Sequence, residues 1–248
     1  IYQCCLRLGQ VDEAWAASQK LREIFPNEAY VENNFAFIDN IRTQRDLTVK
    51  FVDLANYLKK TREIEKLKPL LKAAPHIISN NPFVAELYKQ NNPPKYWDKD
   101  EITIFCGMGF TPWSPKKMDN PQGSFVGGSE EAVICMSREL VRKGWKVTVY
   151  SDPAEDEGEI DGVNWLPYYK FNHLDHFNIL IVWRQIGFFD QELNYKKVYL
   201  WNHDIQNSLD WNENRIKKIT KAFFLSKWHR DNIPALPEEK VMITSNGL

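Results

Sequence analysis

The spacing of apolar and polar residues divides the chain into two parts near residue 100. Residues 1–90 repeat apolar side chains at intervals of three and four, which is typical of packed helices, and they hold a single glycine, Gly9. The stretch "NNPPKYWDKD" at 91–100 combines Asn, two prolines and charge, as linkers do. The pattern therefore predicts a helical region over 1–90 and a linker over 91–100.

After residue 100 the pattern changes to short apolar runs rich in β-branched and aromatic residues. Several of these runs are continuously apolar, which is typical of parallel strands buried on both faces. Helical patterns over 128–143 and 207–220 separate some of them. This alternation predicts an α/β fold, a Rossmann-like doubly wound parallel sheet over 101–248. The predicted strands are 102–106, 146–150, 163–166, 177–183, 197–202, 222–226 and 240–245.

Sheets of this kind bind ligands beyond the carboxyl ends of their strands. The first predicted strand is followed by a long loop over 107–127, and the loop ends in two adjacent glycines, Gly127 and Gly128. Two explanations of the pair are open. The glycines expose helix amides to an anion such as a diphosphate, or they form a turn with positive φ in which Ser129 caps the helix.

Three further residues at predicted strand ends are candidates for a site. His203 can hydrogen-bond a sugar hydroxyl or a phosphate. Asp204 beside it can fix the tautomer of that imidazole or cap the next helix, and the cap is the favoured interpretation. Arg184 can contact an acceptor anion or form a surface ion pair. His229, in "SKWHRDN", is predicted to lie on a helix surface.

Residues 101–248 also resemble a known family. "ITIFCGMGFTPWSP" and "GGSEEAVICMSRELVRKGWKVTVYSD", followed in order by "KVYLWNHD", "AFFLSKWHRDNI" and "KVMITSNGL", resemble the N-terminal domain of GT-B fold glycosyltransferases of the family-4-like group. The resemblance implies an enzyme that moves a sugar from a nucleotide-sugar donor to an acceptor and requires no metal or other cofactor.

The resemblance also implies roles for individual residues. Gly127, Gly128 and Ser129 would lie against the donor diphosphate, and His203 would lie at the reaction centre. The acceptor-side domain would be followed by a donor-binding domain. We expect that a chain ending at Leu248 lacks that domain and transfers no sugar by itself.

The helical region carries a second resemblance. "LGQVDEAWAASQKLREIFPNE", at 8–28, resembles the end of a tetratricopeptide repeat, and the chain begins with Ile1 inside a helical pattern, as if cut from a longer protein. Such repeats bind protein partners or pack against a neighbouring domain. A non-catalytic scaffold of helical repeats carrying a Rossmann-like domain is therefore the alternative to an enzyme.

Composition limits these possibilities. The net charge of −1 gives no polyanion-binding signature, so nucleic-acid binding is disfavoured. The four cysteines show no CxxC pair, which predicts reduced thiols and a cytoplasmic protein. No apolar stretch has the length of a membrane span. The "HLDH" stretch at 173–176 lacks a ligand set at metal spacing, so no metal is expected.

Overall fold

The computed structural model describes residues 9–74, 76–79, 81–119, 126–233 and 235–245. The chain divides into two compact units between Asn91 and Asn92. The predicted thiols Cys4 and Cys5, and the last residues at 246–248, lie outside the described residues.

The described part of the first unit is helical. Its apolar core is formed mainly by Ala55, Leu58, Leu67, Leu71, Val84 and Leu87. The tetratricopeptide pattern is not confirmed, because one helix of 32 residues is almost as long as a whole 34-residue repeat, which should contain two helices. The helices are α1 (Val11–Ile24), α2 (Ala29–Lys60), α3 (Ile64–Lys72), α4 (His76–Ser79) and α5 (Pro82–Asn91).

The second unit is built on one eight-stranded sheet. Its strands are β1 (Glu101–Phe105), β2 (Lys146–Ser151), β3 (Gly158–Ile160), β4 (Val163–Pro167), β5 (His176–Trp183), β6 (Asn194–Trp201), β7 (Lys221–Phe224) and β8 (Val241–Ile243). Their order in the sheet is β3-β4-β2-β1-β5-β6-β7-β8. All neighbours are parallel except β3, which pairs antiparallel with β4 at the edge. The α/β class is confirmed, and the order is compatible with a Rossmann-like fold.

Both faces of the sheet are apolar, which explains the continuous runs in the sequence. On one face, α7 (Gly128–Arg142) packs Ala132, Val133 and Ile134 against the sheet. On the other face, buried residues of β5 to β7 join the segments between the strands, as Trp211 and Ile233 illustrate. The remaining helices are α6 (Pro115–Asp119), α8 (Glu213–Lys218) and α9 (Lys227–Asp231).

Two local predictions fail for identifiable reasons. The short strand β3 was not predicted, because three residues are too few to show a period. The predicted helix over 207–220 is instead a 3₁₀ turn at Ser208–Asp210 followed by α8. Asn207 and Asn212 each cap one of these pieces, accepting a hydrogen bond from a backbone N–H two or three residues later. The second cap starts a new helix where the periodicity suggested continuation.

Candidate functional site

The centre of the sheet is a topological switch point. β1 has β2 on one side and β5 on the other, so the connections that follow β1 and β4 leave in opposite directions. Beyond the carboxyl ends of β1 and β5, the Gln185 side chain donates a hydrogen bond from Nε2 to the carbonyl oxygen of Cys106 at 3.0 Å. Gly107 has φ +71°, and a Cβ there would overlap this carboxamide. Gly107 is therefore needed both for its conformation and for the close approach of Gln185.

The two glycines before α7 do not have the conformation that a positive-φ turn would need. Gly127 is the N-cap, with φ −70° and ψ 155°, and Gly128 is the first helical residue. Neither has a positive φ, so the turn interpretation is wrong. Ser129 lies inside the helix and is not the cap. Its hydroxyl donates a hydrogen bond to Glu130 Oε2 at 2.8 Å.

The space around the two glycines differs. A Cβ at Gly127 would overlap the carboxylate of Glu130, which folds back over the helix start. A Cβ at Gly128 would meet no atom of the described residues within 4 Å. A side chain at 127 would displace only the flexible end of Glu130, and among the described residues neither packing nor φ accounts for the glycine at 128. Gly128 leaves open space at the positive end of the dipole of α7.

Arg184 follows β5 in a strained backbone conformation. Its φ is +66°, and the N–H of Gln185 donates to the carbonyl of Trp183 at 2.9 Å, which makes Arg184 the centre of a γ-turn. The turn is held on both sides. The Arg184 N–H donates to the Trp201 carbonyl at 3.0 Å, and the side-chain amide of Gln206 donates to the Arg184 carbonyl. Strain of this kind costs about 1–3 kcal/mol and is characteristic of functional sites.

The Arg184 guanidinium links two elements of the site. It donates two hydrogen bonds to the Asp204 carboxylate, at 2.5 and 2.8 Å, and its Nη1 donates to Ser129 Oγ at 3.3 Å. The ion-pair interpretation of Arg184 is therefore correct for the structure as it stands. The cap interpretation of Asp204 is wrong, because Asn207 caps the turn that follows. Arg184 fixes the start of α7 relative to the loop after β6.

His203 lies in that loop, next to Trp183 and Trp201. Its ring centroid is 5.9 Å from the first indole and 4.8 Å from the second, both in edge geometry. The Nε2 atom is buried and has no hydrogen-bond partner among the described residues. Burial, reinforced by the positive charge of Arg184, lowers the pKa of His203 to about 4. The imidazole is neutral at pH 7, so one nitrogen donates and the other accepts.

The lowered pKa of His203 sets the sign of its contribution to stability. The unfolded chain binds a proton at His203 near pH 6.5, whereas the folded chain resists it until about pH 4. Protonation therefore favours the unfolded state. Stability present above pH 6.5 is lost as the pH falls towards 4.

All six site residues named from the sequence lie beyond the carboxyl ends of β1, β5 and β6 or at the start of α7. They are Gly127, Gly128, Ser129, Arg184, His203 and Asp204. The "HLDH" stretch lies outside this group, at the start of β5. Across the described ranges, no set of three or more His, Cys, Asp or Glu residues is arranged to hold a metal ion. A cavity of about 400 Å³ runs along α7 next to the site, between Cys135, Met136, Arg142 and Trp201.

The sequence analysis missed three side chains at this edge. Gln185 and Gln206 bind main-chain carbonyl groups 79 and 22 residues away, respectively, which no local pattern reveals. His229 was predicted to lie on a helix surface, and this is wrong: it is 5% exposed and contacts the loop after β6. Its neighbours Trp228 and Arg230 are more exposed, so only one face of α9 is buried.

Comparisons with known proteins give no further identification. No family model, curated protein or solved structure matches the chain. None of the helices in the described ranges combines the length and the apolar character needed to cross a bilayer.

Proposed function

We propose that residues 101–248 are the acceptor-side domain of a glycosyltransferase that uses a nucleotide-sugar donor. The observation that carries this proposal is Gly128. It stands at the first position of α7 without a positive φ and with no described atom near its missing side chain, at the switch point of the sheet and next to Ser129, which accepts a hydrogen bond from Arg184. A phosphate group could approach the unpaired amides there, and Glu130 is the described side chain with which it would compete.

The groups around this space have distinct roles in the proposal. The amides of α7 receive the donor diphosphate at Gly127, Gly128 and Ser129, and stabilise the charge that develops on it as a leaving group. His203, neutral at pH 7, hydrogen-bonds a sugar hydroxyl near the reaction centre. Arg184 and Asp204 lie on the acceptor side, where their ion pair connects the loop after β6 to the start of α7. The free thiols at Cys106 and Cys135 suit a reducing compartment such as the cytoplasm.

A glycine-to-alanine substitution at position 128 tests whether the space there admits a diphosphate. Gly128→Ala should stabilise the fold by about 0.4–1 kcal/mol, because its φ suits alanine and the methyl group meets nothing. The same methyl group should weaken binding of pyrophosphate and UDP-glucose, followed by chemical shifts of the α7 amides, and Gly128→Val should weaken it more. A gain in stability coupled to a loss of binding is the expected signature.

Gly187→Ala is the matched control. Its methyl group would meet only Arg215, at an ordinary 3.9 Å, so binding should not change. If wild type and Gly128→Ala bind both ligands with the same affinity, the open space at Gly128 is not a diphosphate site.

The alternative function, a protein-binding scaffold, has an observation of its own. The described surface of α2 exposes Tyr30, Phe37, Leu47, Leu54 and Tyr57. A group of large exposed apolar side chains on one helix is the kind of surface that binds a protein partner, provided that the side chains form a continuous patch. If charged substitutions there abolish partner capture while the Gly128 variants leave every ligand titration unchanged, the scaffold is favoured over the enzyme.

A further inference from the structure

The loop after β6 is held by a side chain from another helix. His229 belongs to α9, whose N-cap Ser226 accepts a hydrogen bond from the His229 N–H at 3.0 Å. The imidazole points inward, with its ring centroid 5.3 Å from that of Phe224. It therefore reaches the loop after β6, which carries His203.

The contacts of His229 fix its tautomer. Its Nε2 lies 2.8 Å from the carbonyl oxygen of Asp204. A carbonyl oxygen only accepts, so Nε2 carries a hydrogen and donates it. The side-chain amide of Asn202 lies 3.1 Å from the same nitrogen. The structure places Asn202 Nδ2 at this distance and leaves Asn202 Oδ1 buried without a partner among the described residues. Two N–H groups cannot bond each other, so donation from Nε2 to Asp204 requires the Asn202 carboxamide to be turned over, with its oxygen facing this N–H.

His203 stands between the two residues that His229 contacts. The ring of His203 makes no hydrogen bond to a described residue, and its Nε2 is buried without a partner. The position of the ring therefore depends on the main chain at Asn202 and Asp204 and on the indoles of Trp183 and Trp201.

The same contacts continue towards α7. The Asp204 carbonyl is held by His229, while its carboxylate is held by Arg184, which also donates to Ser129. One donor hydrogen from α9 thus orients both the imidazole of the site and the ion pair that reaches the helix start.

We propose that His229 is a positioning residue, which holds the turn at Asn202–Asp204 and thereby keeps the His203 ring against Trp183 and Trp201. As a role in sugar transfer, this rests on the proposed function. As a statement about the position of His203, it does not. Positioning of this kind acts through a second hydrogen-bonded layer, as in other preorganised sites.

Three variants separate positioning from packing. His229→Phe keeps a ring against Phe224 but removes the donor, whereas His229→Gln restores an N–H group near Nε2. His176→Phe is the control, since His176 stacks on Tyr96 at the opposite end of the sheet. The readouts are the His203 titration by imidazole NMR, UDP-glucose affinity from amide shifts, and thermal unfolding.

In His229→Phe we expect the pKa of His203 to rise from about 4 towards 6.5 and the affinity for UDP-glucose to fall about tenfold. His229→Gln should keep the affinity for UDP-glucose within about twofold of wild type and the pKa of His203 close to its wild-type value. His176→Phe should leave both quantities unchanged. A folded His229→Phe with an unaltered His203 titration would overturn the proposal.

A measurement on the wild-type protein covers the case in which His229→Phe does not fold. Long-range ¹⁵N correlation should show His229 protonated on Nε2 with slow solvent exchange, and an Nδ1-protonated ring would refute the assignment. If neither pyrophosphate nor UDP-glucose binds wild type, the diphosphate site proposed at Gly128 is lost, whereas the His203 titration and the His229 tautomer still decide the positioning role.

Discussion

The two ends of the central sheet both carry buried polar groups, but the group around Asp175 is paired and several atoms around His203 are not. At the amino end, Asp175 is 6% exposed and accepts hydrogen bonds from the Lys95 N–H at 2.8 Å and from Trp97 Nε1 at 3.1 Å. At the carboxyl end, Trp183 Nε1, His203 Nε2 and Gln206 Oε1 are buried with no partner among the described residues.

The difference separates a structural cluster from a candidate site. An unpaired buried polar group costs about 1–3 kcal/mol, so a fold keeps several of them together only where something else compensates. The strained γ-turn at Arg184 lies at the same end. The paired carboxylate of Asp175 is accounted for by the fold, whereas the groups near His203 have no partner among the described residues.

The largest expected effect concerns stability at the amino end. Asp175→Ala removes the acceptor for two partly buried donors, so the free energy of unfolding should fall by about 3 kcal/mol in urea denaturation. Asp100→Ala, which breaks an ion pair between exposed side chains, should change it far less, because solvent screens that pair. Pyrophosphate binding should be unaffected in both variants. A binding defect in Asp175→Ala would mean that the two ends are not independent.

The second effect concerns affinity at the carboxyl end. Arg184→Ala should weaken pyrophosphate binding about tenfold, because the helix start loses its link to the loop after β6 and a nearby positive charge. Arg184→Gly loses the same guanidinium but suits φ +66°. It should therefore be about 1 kcal/mol more stable than Arg184→Ala. Equal stability of the two variants would show that the γ-turn stores no strain.

The smallest effect distinguishes two adjacent carboxylates. Glu130 covers Gly127 and lies 3.8 Å from Arg184, while Glu131 is exposed in the same turn. A phosphate must compete with Glu130, so Glu130→Gln should raise pyrophosphate affinity about threefold. Glu131→Gln removes the same charge from the same helix end and should change affinity by less than about 1.5-fold. Equal effects would indicate general electrostatics instead of local competition.

The strands could be predicted because burial on both faces leaves a continuous apolar run. "FNILIVW" at 177–183 lies entirely within β5. The edge strand β3 could not be predicted in this way, because it has only three residues. The candidate site follows from topology: in a parallel sheet, Arg184 and His203 must emerge at the same edge once their strands are assigned.

Side-chain partners could not be predicted in the same way. Asp204 has a cap-forming side chain close to a helical pattern, so the local rule favours a cap. In the structure its carboxylate instead accepts hydrogen bonds from Arg184, 20 residues earlier in the chain. His229 was placed at the surface because the five residues of α9 are too few to show which face is buried.

The cavity beside α7 makes the chain suitable for chemical labelling. Cys135 is exposed on its wall, whereas Cys106 is buried and its thiol pKa is raised well above the ordinary value by desolvation. At neutral pH a small maleimide dye should therefore react at Cys135 and not at Cys106, once Cys4 and Cys5 are replaced by serine. Trp201 lines the same cavity and contacts His203, so its indole could quench the dye by contact. Emission from Cys135 would then report, in real time, what enters the space beside the helix.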